Sequence, residues 1–279
     1  MPSHLLQFAR LGGEVSKLPV RLETIPPPDP NPTLDPTQPH ALSPAQKLYL
    51  WLSAVNVTAL LLANILGVKL FSFGTGWHYS DGTPFNIEHT VGMLPFPITF
   101  LITDLLTEYF GKKAARHTTY VAFAMAVLAF ILISVGRKFP ILEGIPGTAN
   151  DAAFENIFGS ATLMYIASLV AFLFGSLLDI VIFSAFKRMT GGKMVWLRAT
   201  GSTIISQMFD SLLVTWLFFW AFPKLLGQPA ADIHFVMRTA FTGYILKFII
   251  AVALTPGIYI GRWAIAEWFG LRPVPANEA

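Results

Sequence analysis

The sequence predicts an all-α integral membrane protein with six transmembrane helices in one bundle and both termini in the cytoplasm. Three observations carry that prediction. Hydrophobic residues make up 54% of the 279 and charged residues only 13%, against roughly 25% charged in soluble domains. Six apolar stretches follow one another, each near the roughly 20 residues that cross about 30 Å of hydrocarbon. They are long and do not alternate with polar residues, which excludes a transmembrane barrel. Lysines and arginines gather in alternate connections, as in multi-pass proteins with basic loops inside.

Residues 1–46 come first. They are polar and carry Pro19, Pro26, Pro27, Pro28, Pro30, Pro32, Pro36, Pro39 and Pro44. Such a stretch buries too little apolar surface to offset its ordering entropy, so a disordered, Pro-rich cytoplasmic tail is expected. It also lacks the apolar core and cleavage site of a secretory signal.

The transmembrane domain is expected over 47–268, with spans at 48–73, 93–110, 118–135, 160–186, 199–222 and 239–262. Residues 269–279 form a short cytoplasmic tail. The first connection, 74–92, is rich in turn-forming residues and suits a short hairpin. The connection 137–158, with Pro140, Gly144, Pro146 and Gly147, reads as a surface loop. On span one, Ala59, Ala63 and Gly67 form a ridge of small residues at four-residue spacing, read here as a packing face within the chain.

Positive charge sets the orientation. Lys112, Lys113 and Arg116 fall between spans two and three. Lys187, Arg188, Lys193 and Arg198 fall between spans four and five. Arg262 and Arg272 follow span six, and Arg10, Lys17, Arg21 and Lys47 precede span one. The opposite side holds only Arg137, Lys138, Lys224 and Arg238. Both termini therefore face the cytoplasm, and the lipid bilayer is an expected partner.

Several polar residues fall at membrane depth. Counting about 1.5 Å per residue, Asp104 and Asp210 lie near the midplane, Lys247 somewhat outward, and Glu108 and Asp179 toward the cytoplasm. A charge at a helix centre costs roughly 2.5–3.5 kcal/mol, so such residues pair or line a path. Asp104 and Glu108 share one face of span two, and Gln207 and Asp210 share one face of span five. Asp104, Glu108, Gln207, Asp210 and Lys247, with Asn64 from span one, are the candidate substrate-binding residues. Arg116 is the expected inner-gate partner of Glu108. Arg198 and Pro256 are candidate gating or structural residues, since Pro256 should kink span six. Thr99, Thr107, Asn56 and Ser206 read as helix glue. Lys69 snorkels outward, and Asp179 stands between a solvated and a site reading.

Other chemistries find little support. The chain has no cysteine, so thiolate metal sites and disulfides are excluded. Its six histidines fall in the tail and connections, and none pairs at i, i+4 on one helix. No metal, cofactor or nucleic-acid partner is expected, and no catalytic residue. No P-loop occurs, so any ATP coupling has to come from another subunit. An intramembrane aspartyl protease built on Asp104 and Asp210 is a further alternative, but no Gly-x-Gly-Asp signature surrounds either residue.

The residues around these positions resemble the bacterial vitamin uptake transporter family. Phe96-Pro97-Ile98-Thr99 leading to Asp104, Glu108, Tyr109 and Gly111, then Ala115-Arg116, looks like that family's second-span signature. Arg198, Ser202, Gln207, Asp210 and Ser211 match its fifth-span pattern, with Ser211 where threonine is more usual. Lys247 with Thr255, Pro256 and Tyr259 looks like its last-span ending. The resemblance covers roughly 47–268, and the long Pro-rich tail departs from the family. It implies uptake of queuosine precursors, 7-cyano-7-deazaguanine and 7-aminomethyl-7-deazaguanine, for tRNA modification. A carboxylate accepts the adjacent N–H donors of a guanine-like edge in pairs, and a glutamine matches the remaining donors and acceptors. The alternatives are a carrier of another vitamin or nucleobase, or the substrate-binding subunit of an ATP-driven importer. The sequence leaves the oligomeric state open, a homo-oligomer included.

Overall fold

The computed structural model describes residues 42–78, 82, 84–140, 142, 150–159 and 162–275. Disorder is expected over 1–46: residues 1–41 lie outside the described residues, whereas 44–46 form the first turn of a helix. Helix α1 runs Pro44–Leu66 and starts earlier than hydropathy suggests. Ser43 caps it in a reciprocal capping box with Gln46, and Pro44 occupies the first turn, where its missing N–H costs nothing.

Span one was expected to continue to Phe73, but α1 ends at Leu66 and the chain turns into an antiparallel hairpin, β1 (Leu70–His78) and β2 (Pro84–Thr90). The expected short hairpin is therefore present and longer. A 3-10 turn, Val91–Met93, then leads back against α1. A Cβ on Gly92 would lie 2.2 Å from the Ala63 carbonyl. Only glycine permits that approach, so the small-residue ridge of α1 packs within the chain.

Helix α2 spans Phe96–Gly136, 41 residues, with non-helical backbone at Gly111 (φ 78, ψ 171). Side-chain contacts show what this break does. Phe96 packs with Leu60 near the end of α1, whereas Phe110 meets Tyr49 near its start. Beyond Gly111 the order reverses: Ser53 bonds Thr118, and Leu60 packs against Ala122 and Ala126. Residues 96–110 run against α1, and residues 112–136 run along it. The backbone at Gly111 is open essentially to glycine alone, so one residue makes the reversal.

Helix α3, Asp151–Phe158, is capped by Asn150 and occupies part of the connection expected to be an irregular loop. Then come α4 (Thr162–Met189), α5 (Val195–Trp216), a π-helical turn (Leu217–Ala221), α6 (Phe222–Leu225) and α7 (Ile233–Phe269). Asp232 caps α7 and sets its early start, while Gly270, in the left-handed region, ends it. Helix α7 runs through Pro256 as one continuous element.

Five helical segments among the described residues are long and apolar enough to cross a membrane, and one contains both limbs of α2. Large apolar side chains such as Trp51, Phe241, Ile260 and Trp263 are exposed around the outside. In lipid that surface carries no penalty. The core divides along the bundle. One cluster, around Leu106, Ile180, Phe183 and Ile258, sits near the basic end of α4. The other, around Leu60, Ala126 and Phe172, sits toward the hairpin end.

Candidate functional site

At the basic end Glu108 gathers three cations. Its carboxylate ion-pairs with Arg198, which lies on α5, and with Lys187 on α4 at 3.1 Å; Arg262 on α7 lies 3.7 Å away. Glu108 lies three residues before the Gly111 break, and its main-chain carbonyl is engaged as well. That carbonyl accepts from Lys187 Nζ at 3.1 Å and from the backbone N–H of Val274 at 2.9 Å. Four elements and the segment after α7 are thus tied to one residue. The expected partner, Arg116, is not among them, because it lies on the far limb of α2, beyond the reversal. Lys187 and Arg198 were read as loop cations marking topology, but both are buried here.

One turn further into the bundle, Asp104 meets Asp179. The two carboxyl groups lie close enough to interact directly. Asp179 Oδ1 also accepts from Ser206 Oγ at 3.0 Å, and the Ser202 and Thr203 hydroxyls lie within reach. Asp104 Oδ1 and Asp179 Oδ2 accept from no protein donor among the described residues. Sequence depth alone left Asp179 undecided. The usable signal was that Gly175, Ser176 and Asp179 place small and polar groups on one stripe of an otherwise apolar helix.

Asp104 lines a cavity between the first limb of α2, α5 and α7, together with Phe100, Thr203, Gln207, Lys247 and Thr255. Gln207 is buried there, and among the described residues neither atom of its amide has a protein partner. The threonine ladder of α2 takes no part: Thr103 and Thr107 bond carbonyls of their own helix, at 2.7 and 2.8 Å.

Asp210 and Lys247 form an ion pair between α5 and α7. Lys247 also sits over the Phe96 ring, 5.0 Å from its centroid. A second cavity opens from this pair toward the hairpin end, lined by Asn64, His89, Phe96, Tyr165, Asp210 and Lys247. Phe96 and Lys247 border both cavities. Asn64 donates to the Leu60 carbonyl at 2.9 Å, and its buried carbonyl oxygen has no partner. His89, on β2, accepts the Thr90 N–H at Nδ1. Burial, then the nearby Lys247 charge, lowers its pKa to about 4. The ring is therefore neutral at ordinary pH, with its proton on Nε2.

Asp210, committed to Lys247, is not paired with Asp104, which removes the dyad an aspartyl protease built on those two residues needs. Among the described residues no group of three His, Asp or Glu side chains is arranged to hold a metal ion. Pro256 lines neither cavity, but its neighbour Thr255 lines the first and bonds Thr200 through its hydroxyl at 2.6 Å. The arrangement is a polar core closed at its basic end and open toward the hairpin, with unpartnered donors and acceptors inside.

Residues 90–261 match the family described as putative vitamin uptake transporter. A probable queuosine precursor transporter of Bacillus subtilis (strain 168) is 30% identical over 182 residues, 64% of this chain and 73% of the relative. The queuosine precursor transporter of Escherichia coli (strain K12) is 26% identical over 216 residues, 76% of this chain and 85% of the relative. A probable queuosine precursor transporter of Haemophilus influenzae Rd is likewise 26% identical over 216 residues, covering 75% and 83%. No solved structure matches the chain.

Proposed function

The chain belongs to the vitamin uptake transporter family, a family of transporters and not of enzymes, and from that premise we propose that it imports queuosine precursors across the bacterial inner membrane. It is a multi-pass membrane protein. Its substrates on this reading are 7-cyano-7-deazaguanine, 7-aminomethyl-7-deazaguanine or both. The observation that carries the reading is the buried Gln207 amide, unpartnered on both atoms, beside an Asp104 oxygen that accepts from no donor. Unpaired buried polar atoms cost about 1–3 kcal/mol each, and a guanine-like edge satisfies them together.

The two limbs of α2 cross the bilayer separately on this reading, which makes six crossings. The basic end faces the cytoplasm, with both termini, by the positive-inside rule. Residues 1–46 and 269–279 are cytoplasmic tails around the transporter domain. The substrate enters from the hairpin end through the cavity of Asn64, His89 and the Asp210–Lys247 pair, and reaches Asp104 and Gln207 deeper in. Glu108 with Arg198, Lys187 and Arg262 is the closed inner gate. Opening it while the outer cavity closes gives alternating access around a fixed site.

The test is the queuosine content of tRNA in a strain unable to make the precursor, at limiting external precursor. Expression of this protein restores queuosine; unchanged tRNA, with the protein present in the membrane, refutes the assignment.

A further inference from the structure

The contact between Asp104 and Asp179 has a chemical consequence. Two ionised carboxylates cannot hydrogen-bond each other, and at such range in a low-dielectric interior they cannot both stay charged. Each brings a buried oxygen with no protein donor. One proton shared between the two groups removes the repulsion.

The groups around the pair make its charge state depend on the gate. From α5 it faces Arg198, Ser202, Thr203, Ser206 and Gln207. From its own limb of α2 it faces Glu108, beyond which Lys187 of α4 and Arg262 of α7 are held. From α7, Lys247 borders the same cavity as Asp104. The cations among these are engaged elsewhere: Arg198, Lys187 and Arg262 around Glu108, and Lys247 on Asp210. With the gate closed, Arg198, the cation that acts on Asp104, is committed to Glu108, and a doubly ionised pair is left under-compensated.

We propose that the Asp104–Asp179 pair is a proton-binding site and that the protein is a proton–precursor symporter, taking one proton inward with each substrate. This rests on the transport reading above. In the loaded state Asp104 keeps the proton and donates it to Asp179, which the Ser206 hydroxyl at 3.0 Å helps to hold ionised. The other oxygen of Asp104 accepts from the substrate N–H donors. Opening the gate separates Arg198 from Glu108. The freed guanidinium then compensates the pair, substrate leaves, and the proton follows it into the cytoplasm. No bond other than that to the proton is made or broken. Asp179 is a positioning residue that holds the proton on Asp104 and does not touch the substrate.

The experiment uses the full chain in liposomes with radiolabelled 7-cyano-7-deazaguanine, which is uncharged, and a pH-sensitive dye inside. With the interior about one pH unit more alkaline and the membrane potential clamped at zero, one proton per substrate supports about tenfold accumulation. Addition of precursor should acidify the interior. Asp179→Asn should abolish accumulation and acidification yet keep counterflow exchange, and Asp179→Glu should restore both. Equal wild-type uptake with and without the gradient, with no acidification but intact counterflow, overturns the coupling and leaves the transport reading standing. Gradient-driven accumulation by Asp179→Asn overturns the site. Absence of wild-type counterflow refutes transport itself and the coupling with it. The wild-type measurements decide the matter even if Asp179→Asn fails to fold.

Discussion

Arg198 and Glu108, 90 residues apart in sequence, meet as an ion pair in which each side chain is 1% exposed. Lys187 shares the same carboxylate, and Arg262 approaches it. One anion balances several cations, so its removal leaves more than one buried charge uncompensated. Breaking a buried pair by deleting one partner costs about 3–5 kcal/mol. Glu108→Gln is therefore expected to lower the apparent unfolding temperature in detergent sharply, and Glu108→Asp by less. Equal stability of Glu108→Gln and the wild type contradicts this.

Gln207 behaves in the opposite way. Both atoms of its amide are already buried without a partner, so Gln207→Leu removes a desolvation cost and keeps the volume. Stability is expected to hold or rise by about 1 kcal/mol, while precursor affinity falls tenfold or more, by about 1.4 kcal/mol. Binding and thermal unfolding of one preparation test both parts, and unchanged affinity rejects Gln207 as a ligand.

The Asp210–Lys247 pair predicts non-additivity. Lys247→Met strands an aspartate that is nearly buried. The double variant Asp210→Asn with Lys247→Met strands no charge, and should recover about 1–3 kcal/mol of the loss. Uptake should stay absent in both, because the double variant restores packing without the charges. Additive effects on stability argue against the pairing.

Gly111→Ala places a Cβ where φ is 78 and ψ is 171. The strain is about 1–3 kcal/mol or more, because this backbone region is nearly closed to other residues. Membrane-inserted yield and melting temperature should both drop, whereas Gly136→Ala, with open space around its Cβ, changes little. Similar behaviour of the two variants removes the special role of Gly111.

His89 predicts a pH window. Its pKa is lowered from 6.5 to about 4 by burial and then by the Lys247 charge. The unfolded chain takes up the proton below about 6.5, but the folded protein resists it until about 4. Stability should therefore fall as pH drops through that interval, by on the order of 3 kcal/mol in total, and flatten below it. His89→Gln should lack that part of the decline. A decline of the same size in the variant removes His89 as its source.

Much of this protein was legible in its sequence. Apolar runs and low charge identified a helical membrane protein, because hydrocarbon admits no unsatisfied backbone and few charges. The same cost picked out Asp104, Glu108, Gln207, Asp210 and Lys247, all of which are buried or nearly so in the bundle. The hairpin in the first connection and the packing role of the Ala59–Ala63–Gly67 ridge were also readable, since both rest on local residue chemistry.

Partners were not readable. Distance along the chain suggested Arg116 for Glu108, but the reversal at Gly111 carries Arg116 away and the bundle brings Arg198, Lys187 and Arg262 instead. Lys187 and Arg198 looked like loop cations because hydropathy marks where a span thins out, not which side its last turn faces. Asp179 had no evident role until α4 crossed Asp104. Composition and periodicity state what each residue costs in a membrane. Only the packing of helices distant in sequence decides which neighbour offsets that cost, because pairing is a property of two surfaces in contact and not of either one alone.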